Sequence, residues 1–136
     1  MGNYSEALIS VRQAKTLETN GYRSELMEAR LLIRLNQYSE ALEILTRLMK
    51  TNEQSPQISF SHAIANLNQF FHSKQRIIPP MLFDLVRKGF LKSIGLDPSN
   101  MFFMEEYILF LNIFGKKDEA NKYKQKLKLL KSSISI

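Results

Sequence analysis

The sequence predicts an all-α chain, an α-solenoid of stacked antiparallel helix pairs. Three observations carry this. The pentapeptide Tyr4-Ser5-Glu6-Ala7-Leu8 returns unchanged as Tyr38-Ser39-Glu40-Ala41-Leu42, 34 residues on, and a fixed period of roughly 20–50 residues marks a stacked-repeat architecture. Apolar residues recur at steps of three and four, the spacing of one helix face, and no stretch sustains the alternation of a half-buried strand. Only 5 Gly and 4 Pro punctuate the 136 residues, which suits long helices better than many short strands.

Seven segments follow in order. Asn3 to Thr19 carries Tyr4, Ala7, Leu8, Val11, Ala14 and Leu17 on one face, with Asn20-Gly21 as its stop, the glycine being free to take a left-handed C-cap. Ser24 to Leu35 and Tyr38 to Met49 form the next pair across the short turn Asn36-Gln37. Ile58 to Phe71 comes after Pro56, which fits a first helical turn because no N–H partner is required there. Met81 to Leu96 follows Pro79-Pro80 and ends at Gly95 and Asp97-Pro98; Met101 to Phe114 and Asp118 to Lys131 complete the set. Consecutive helices joined by short turns pack antiparallel.

A 34-residue unit of two helices resembles the tetratricopeptide repeat. In that family a small residue in the first helix marks the crossing of the pair, and Ala29 and Ala63 match it, again 34 apart. The second helix opens on an aromatic followed by a small residue, matched by Tyr4/Ala7 and Tyr38/Ala41, and by Gly115 to Ala120 with Lys117 in place of the aromatic. The closing acidic residue and proline are matched by Asp97-Pro98. The resemblance divides the chain into a half repeat at 1–20, a repeat at 21–54, an irregular repeat at 55–99, a repeat at 100–132 and a tail at 133–136. In the irregular repeat the counterpart of Ala41 is Val86, and about 11 residues, roughly from His72 to Leu82, are inserted. They lengthen the helices, form a loop that Ile77 and Ile78 pin to the body, or form a loop that touches a partner. The first Tyr-Ser-Glu-Ala-Leu belongs to a second helix, so the expectation is a longer array, or another chain covering Ala7, Leu8, Val11 and Ala14.

Composition excludes several classes. There is no Cys, hence neither a disulfide scaffold nor a cysteine zinc site. No apolar run approaches the ~20 residues that span a bilayer, and the N-terminus lacks a signal-peptide pattern; a cytoplasmic setting is the default expectation. The net charge is +6, but residues 1–115 hold 12 basic against 11 acidic residues, and residues 116–136 hold 7 Lys against Asp118 and Glu119. The basicity belongs to the last helix and tail, so a nucleic-acid footprint is not expected.

No catalytic constellation is present. His62 and His72 fall about 80° apart and nearly three turns distant on a helix, too far to share a metal, and read as surface or boundary residues. Glu105 and Glu106 diverge by about 100°. Phosphate loops, nucleophile elbows and metalloprotease motifs are absent. An enzyme is not expected, nor a metal, nor a cofactor.

Two segments stand out. Met101 to Phe114 is apolar nearly all round, as a helix buried between neighbours or one that leaves a partner patch exposed. The last helix fans lysines around Tyr123, Leu127 and Leu130, as a polar cap to the array, or as a basic face for an acidic partner or an anionic membrane.

The resemblance implies binding of a peptide or helix along a concave surface made by the first helix of each repeat. Carried over by register, that surface takes Arg23, Met27, Arg30 and Arg34; then Gln57, Phe60, Ile64 and Asn68; then Phe102, Glu105, Leu109 and Asn112. Leu26, Arg30, Phe102 and Glu106 stand where a chaperone-tail carboxylate clamp would need Lys, Asn, Lys and Arg, so that ligand is not expected. The reading is a non-enzymatic protein-interaction module for a partner protein or peptide. The alternatives are self-association, through the N-terminal half repeat or the Phe102–Phe114 helix, and a regulatory fragment of a larger protein.

Overall fold

The computed structural model describes residues 3–15 and 22–134. Among them are seven helices and no strand: α1 (Tyr4–Lys15), α2 (Arg23–Arg34), α3 (Tyr38–Thr51), α4 (Pro56–His72), α5 (Pro80–Leu96), α6 (Met101–Ile113) and α7 (Lys117–Ile134). Each packs on the next along the chain, so the fold is a solenoid of antiparallel pairs. The expected stop at Asn20-Gly21 lies outside the described residues.

Local chemistry sets the helix ends. Pro56 and Pro80 open α4 and α5, where a missing N–H costs nothing. Asn100 caps α6, its side-chain oxygen accepting the Phe103 N–H at 3.2 Å. Asn36 and Gly115 end the first helices of their pairs at φ 61° and 76°. After each, the following amide reaches back six residues counted inclusively, Gln37 to the Leu32 carbonyl and Lys116 to the Leu111 carbonyl, both at 2.8 Å, which closes the exposed carbonyls of the last turn.

These turns locate the inserted residues. The left-handed residue that closes α4 is Lys74, at φ 63°, four places later than the repeat register puts it. The stretch from Lys74 to the start of α5 is four residues longer than that from Asn36 to α3, and α5 begins three residues earlier relative to Val86 than α3 does relative to Ala41. Both helices are lengthened, then, and the turn as well. Ile77 does not pin that turn: it is 84% exposed, and only Ile78 is partly covered. The extended α4 and α5 carry the turn out from the body, which leaves Ile77 in solvent.

The interior falls into two clusters that meet on α4. Leu8, Leu26, Ala29, Leu32, Ala41, Leu45 and Ile58 pack from α1 to the start of α4. Ala63, Leu67, Val86, Phe90, Tyr107, Phe110 and Ala120 pack from α4 to α7. Val86 is buried, but the residue facing Ala63 across the α4–α5 crossing is Gly89. Of the N-terminal apolar face, Leu8 is buried, Ala7 and Val11 are partly covered, and Ala14 is exposed.

Polar links tie the layers. Arg12 Nε on α1 donates to Glu28 on α2 at 2.8 Å, and its Nη2 reaches Glu40 on α3 at 3.4 Å. Glu28 is buried and His62 is 8% exposed. His62 is therefore an interior residue, contrary to its sequence reading, since α4 is covered by both α3 and α5; burial lowers its pKa from the ordinary imidazole value.

Candidate functional site

The first helices α2, α4 and α6 place their outward faces on one surface, and part of it is hollowed into a groove of about 800 Å³. One wall is the C-terminal end of α2, the turn after it and the first residue of α3: Arg30, Ile33, Arg34, Asn36 and Tyr38. The floor is α4, which contributes Gln57, Phe60, Ser61, Ile64 and Asn68 at helical spacing. The far wall is the start of α6, with Asn100, Phe102, Phe103 and Glu106.

The floor is aromatic at its centre. The Phe60 ring stacks on Phe103 at 4.7 Å between centroids, lies 5.4 Å from Phe102 and meets Phe90 at 5.7 Å beneath it. Phe103 and Phe90 are buried and hold Phe60 in place, while Phe102 is 55% exposed and open to a ligand.

Charge divides the two walls. Arg30 Nε donates a long hydrogen bond, 3.5 Å, to Ser61 Oγ, and the Arg34 guanidinium lies 5.9 Å from the Tyr4 ring centre. Neither arginine has a carboxylate within ion-pair distance among the described residues. The opposite wall carries Glu106, whose carboxyl is held above the ordinary range by burial and by the adjacent Glu105 charge. Of the lining amides, Gln57 and Asn68 lie on the floor between the walls and Asn36 sits in the α2 wall, whereas Asn100 is engaged by the Phe103 N–H and the Asp97 carboxylate.

Six of the residues named from sequence line this groove together with Gln57: Arg30, Arg34, Phe60, Ile64, Asn68 and Phe102. Arg23, Met27, Glu105, Leu109 and Asn112 are exposed but lie outside its lining. Register places a residue on a face without fixing its height on the stack, and the groove spans only the stretch where α2 ends beside α6's start. Asn36 and Asn100 were missed because they belong to a turn and a cap, and Tyr38 because it opens a second helix, α3. Glu106 follows Phe102 by four residues and shares its face, a signal the sequence did contain.

No protein-family model and no curated protein matches the sequence. Solved structures do match it. MamA from Desulfovibrio magneticus RS-1, residues 41 to the end, aligns with a TM-score of 0.78 at 16% identity, over 99% of this chain and 70% of that one. The fold is similar to that of MamA. A MamA double mutant (RS-1, ArsTM) gives a TM-score of 0.76 at 15% identity, over 97% of this chain and 68% of its own. A further MamA crystal structure gives 0.76 at 16%, over 98% and 72%. At such identity the likeness to MamA is one of backbone architecture, and it carries no residue of the groove with it.

A second polar centre joins α5, α6 and α7. Arg87 Nε donates to the Tyr107 hydroxyl at 3.2 Å, Arg87 Nη2 donates to Glu119 at 2.7 Å, and the Tyr107 hydroxyl donates to the other Glu119 oxygen. All three groups are mutually satisfied, which makes this a structural tie. Among the described residues no group of three acidic, histidine or cysteine side chains is placed to hold a metal ion, and no helix is long and apolar enough to cross a membrane.

Proposed function

We propose that this chain is a non-enzymatic protein-interaction module of tetratricopeptide-like build, and that the groove across α2, α4 and α6 receives a peptide or helix of a partner protein. The observation that carries the reading is the pairing of Arg30 and Arg34, which have no carboxylate partner among the described residues, with an exposed aromatic at Phe102, on either side of the Phe60 and Ile64 floor. Such a groove suits a segment with an acidic group toward α2 and a large apolar side chain over Phe60 and Phe102. Arginines supply orientation and bidentate carboxylate contacts, and buried aromatic anchors supply most of the affinity. The amides at the edges suit the main chain of an extended segment. Glu106 opposes a second acid on the α6 side, so the groove selects direction as well as composition.

Peptide display against the purified chain tests this. Selected sequences should pair an acidic residue with an aromatic or large aliphatic one, and binding should fall roughly tenfold or more in Arg30→Glu/Arg34→Glu. Selected peptides without acidic residues, or affinity unchanged by that double charge reversal, would remove the groove from consideration.

A further inference from the structure

The repeat register lets the outer face of each second helix be compared position by position. On α3 the face that packs against the next pair carries Leu45, Leu48 and Met49; on α5 the corresponding positions are Phe90, Ser93 and Ile94. Leu45, Leu48, Phe90, Ser93 and Ile94 are buried, since α4 covers α3 and α6 covers α5. On α7 the same positions are Lys124, Leu127 and Lys128. Leu127 still packs against the core cluster, but both lysines are exposed.

This face is not flat. Lys124, Leu127, Lys128, Lys131 and Ser132 line a shallow groove of about 430 Å³ that runs along α7. Lys124, Lys128 and Lys131 recur at intervals of four and three, one stripe of the helix. None of the three lies within ion-pair distance of a carboxylate among the described residues, and residues 120–134 contain five lysines and no acid. The acids of α7, Asp118 and Glu119, both sit in its first turn, and Glu119 is already committed to Arg87 and Tyr107.

We propose that this face of α7 docks an acidic amphipathic helix, seated where the first helix of a further repeat would pack. The solenoid itself supplies the geometry: the same face is a helix-packing surface on α3 and on α5. The lysines change which helix fits. A helix with an apolar stripe flanked by uncharged residues would strip water from Lys124 and Lys128 without neutralising them, a heavy cost. A helix with an apolar residue over Leu127 and carboxylates toward Lys124, Lys128 and Lys131 neutralises them and keeps the packing. This surface is separate from the groove of α2, α4 and α6, and the proposal stands whatever that groove binds.

The test titrates the full chain with a fluorescein-labelled designed helix carrying Leu at one face and Glu on both flanks, and with a scrambled peptide of identical composition. The designed helix should bind saturably and roughly tenfold or more tightly than the scrambled one. Lys124→Glu/Lys128→Glu should weaken it by a similar factor, while Arg30→Glu/Arg34→Glu leaves it within about twofold. Circular dichroism confirms folding of the variants, and the milder Lys124→Ala/Lys128→Ala should give an intermediate loss. Equal binding of both peptides, no binding, or indifference to the α7 variants would overturn the proposal. So would saturable binding only to phosphatidylserine-containing vesicles, which would make the face a membrane contact.

Discussion

Gly89 on α5 lies so close to Ala63 on α4 that a methyl group on its α-carbon would sit 2.9 Å from the alanine Cβ and 3.2 Å from the Ser59 carbonyl oxygen. The α4–α5 pair thus crosses at an alanine–glycine contact, and this is why the irregular repeat tolerates Val86 where the regular one has Ala41. The close approach has moved three residues along α5, to a residue without a side chain.

The glycine is therefore expected to resist substitution. In an open helix, Gly→Ala gains about 1 kcal/mol from propensity. At Gly89 the obstructing atoms are a backbone carbonyl and another Cβ, neither of which can swing aside, and overpacking of this kind costs about 1–3 kcal/mol. Gly89→Ala should lower the melting temperature. Gly95→Ala, where nothing lies within 4 Å of the added methyl, should raise it by the propensity gain. Paired thermal melts decide the matter: a rise for both variants would mean that the crossing has slack.

Tyr107 should make the fold sensitive to alkali. The phenol is fully buried, and burial together with its hydrogen bond to Glu119 raises its pKa well above the ordinary 10.0. The folded chain holds that proton more tightly than the unfolded one, so the stabilisation is complete below about pH 10 and is lost as pH climbs past it toward the folded pKa. Tyr123 is raised in the same direction, first by burial. Tyr107→Phe should cost about 1 kcal/mol at neutral pH for the lost hydrogen bond and should flatten the decline between about pH 9.5 and 11. Urea titrations of both proteins across that range provide the check; parallel declines would show that Tyr107 ionises without hindrance.

His62 works from the other side. Burial lowers its pKa below the ordinary 6.5, and its ring nitrogen faces the Asn66 side chain at 3.4 Å. The unfolded chain takes up a proton first, so stability is full above about pH 6.5 and falls as pH drops toward the folded pKa. His62→Gln should remove the part of the acid sensitivity that sets in between pH 7 and 5. Melts at both pH values on the two proteins test it, and an equal drop in each would place the sensitivity elsewhere.

The helices were legible because they obey local rules. Apolar spacing gave each face, and Asn36, Pro56, Pro80, Asp97-Pro98 and Gly115 gave the turns. The returning pentapeptide supplied the register, and with it the alignment of α2, α4 and α6. What the sequence hid depends on how far helices slide and lengthen. Ile77 is apolar, which argued for burial, yet the extra residues in α4 and α5 lift it away from the body. Glu28 is charged yet buried, because the exposed Arg12 on α1 reaches over it and pairs with its carboxylate. In the groove, the face of each helix was readable but the height was not: Arg30 and Phe102 fall within it, and Met27 and Leu109, one or two turns away on the same faces, do not.

The stripe on α6 gives the last prediction. Phe102, Leu109 and Ile113 are each 55% exposed, and they fall within about 40° of one another around the helix. Of the sequence alternatives, self-association through α6 would have to rest on this stripe. A helix of 13 residues is about 20 Å long, so the stripe offers on the order of 200 Å², well short of the ~800 Å² per partner typical of a stable interface. Exposed Glu105 and Asn112 border it and would have to be desolvated as well. Light scattering at micromolar concentrations should therefore give the 15.8 kDa of a single chain. Leu109→Ser/Ile113→Ser should leave that mass unchanged and should weaken a groove-bound partner only if the partner extends along α6 beyond Phe102. A doubled mass that the same double variant abolishes would replace the monomer with a dimer built on α6.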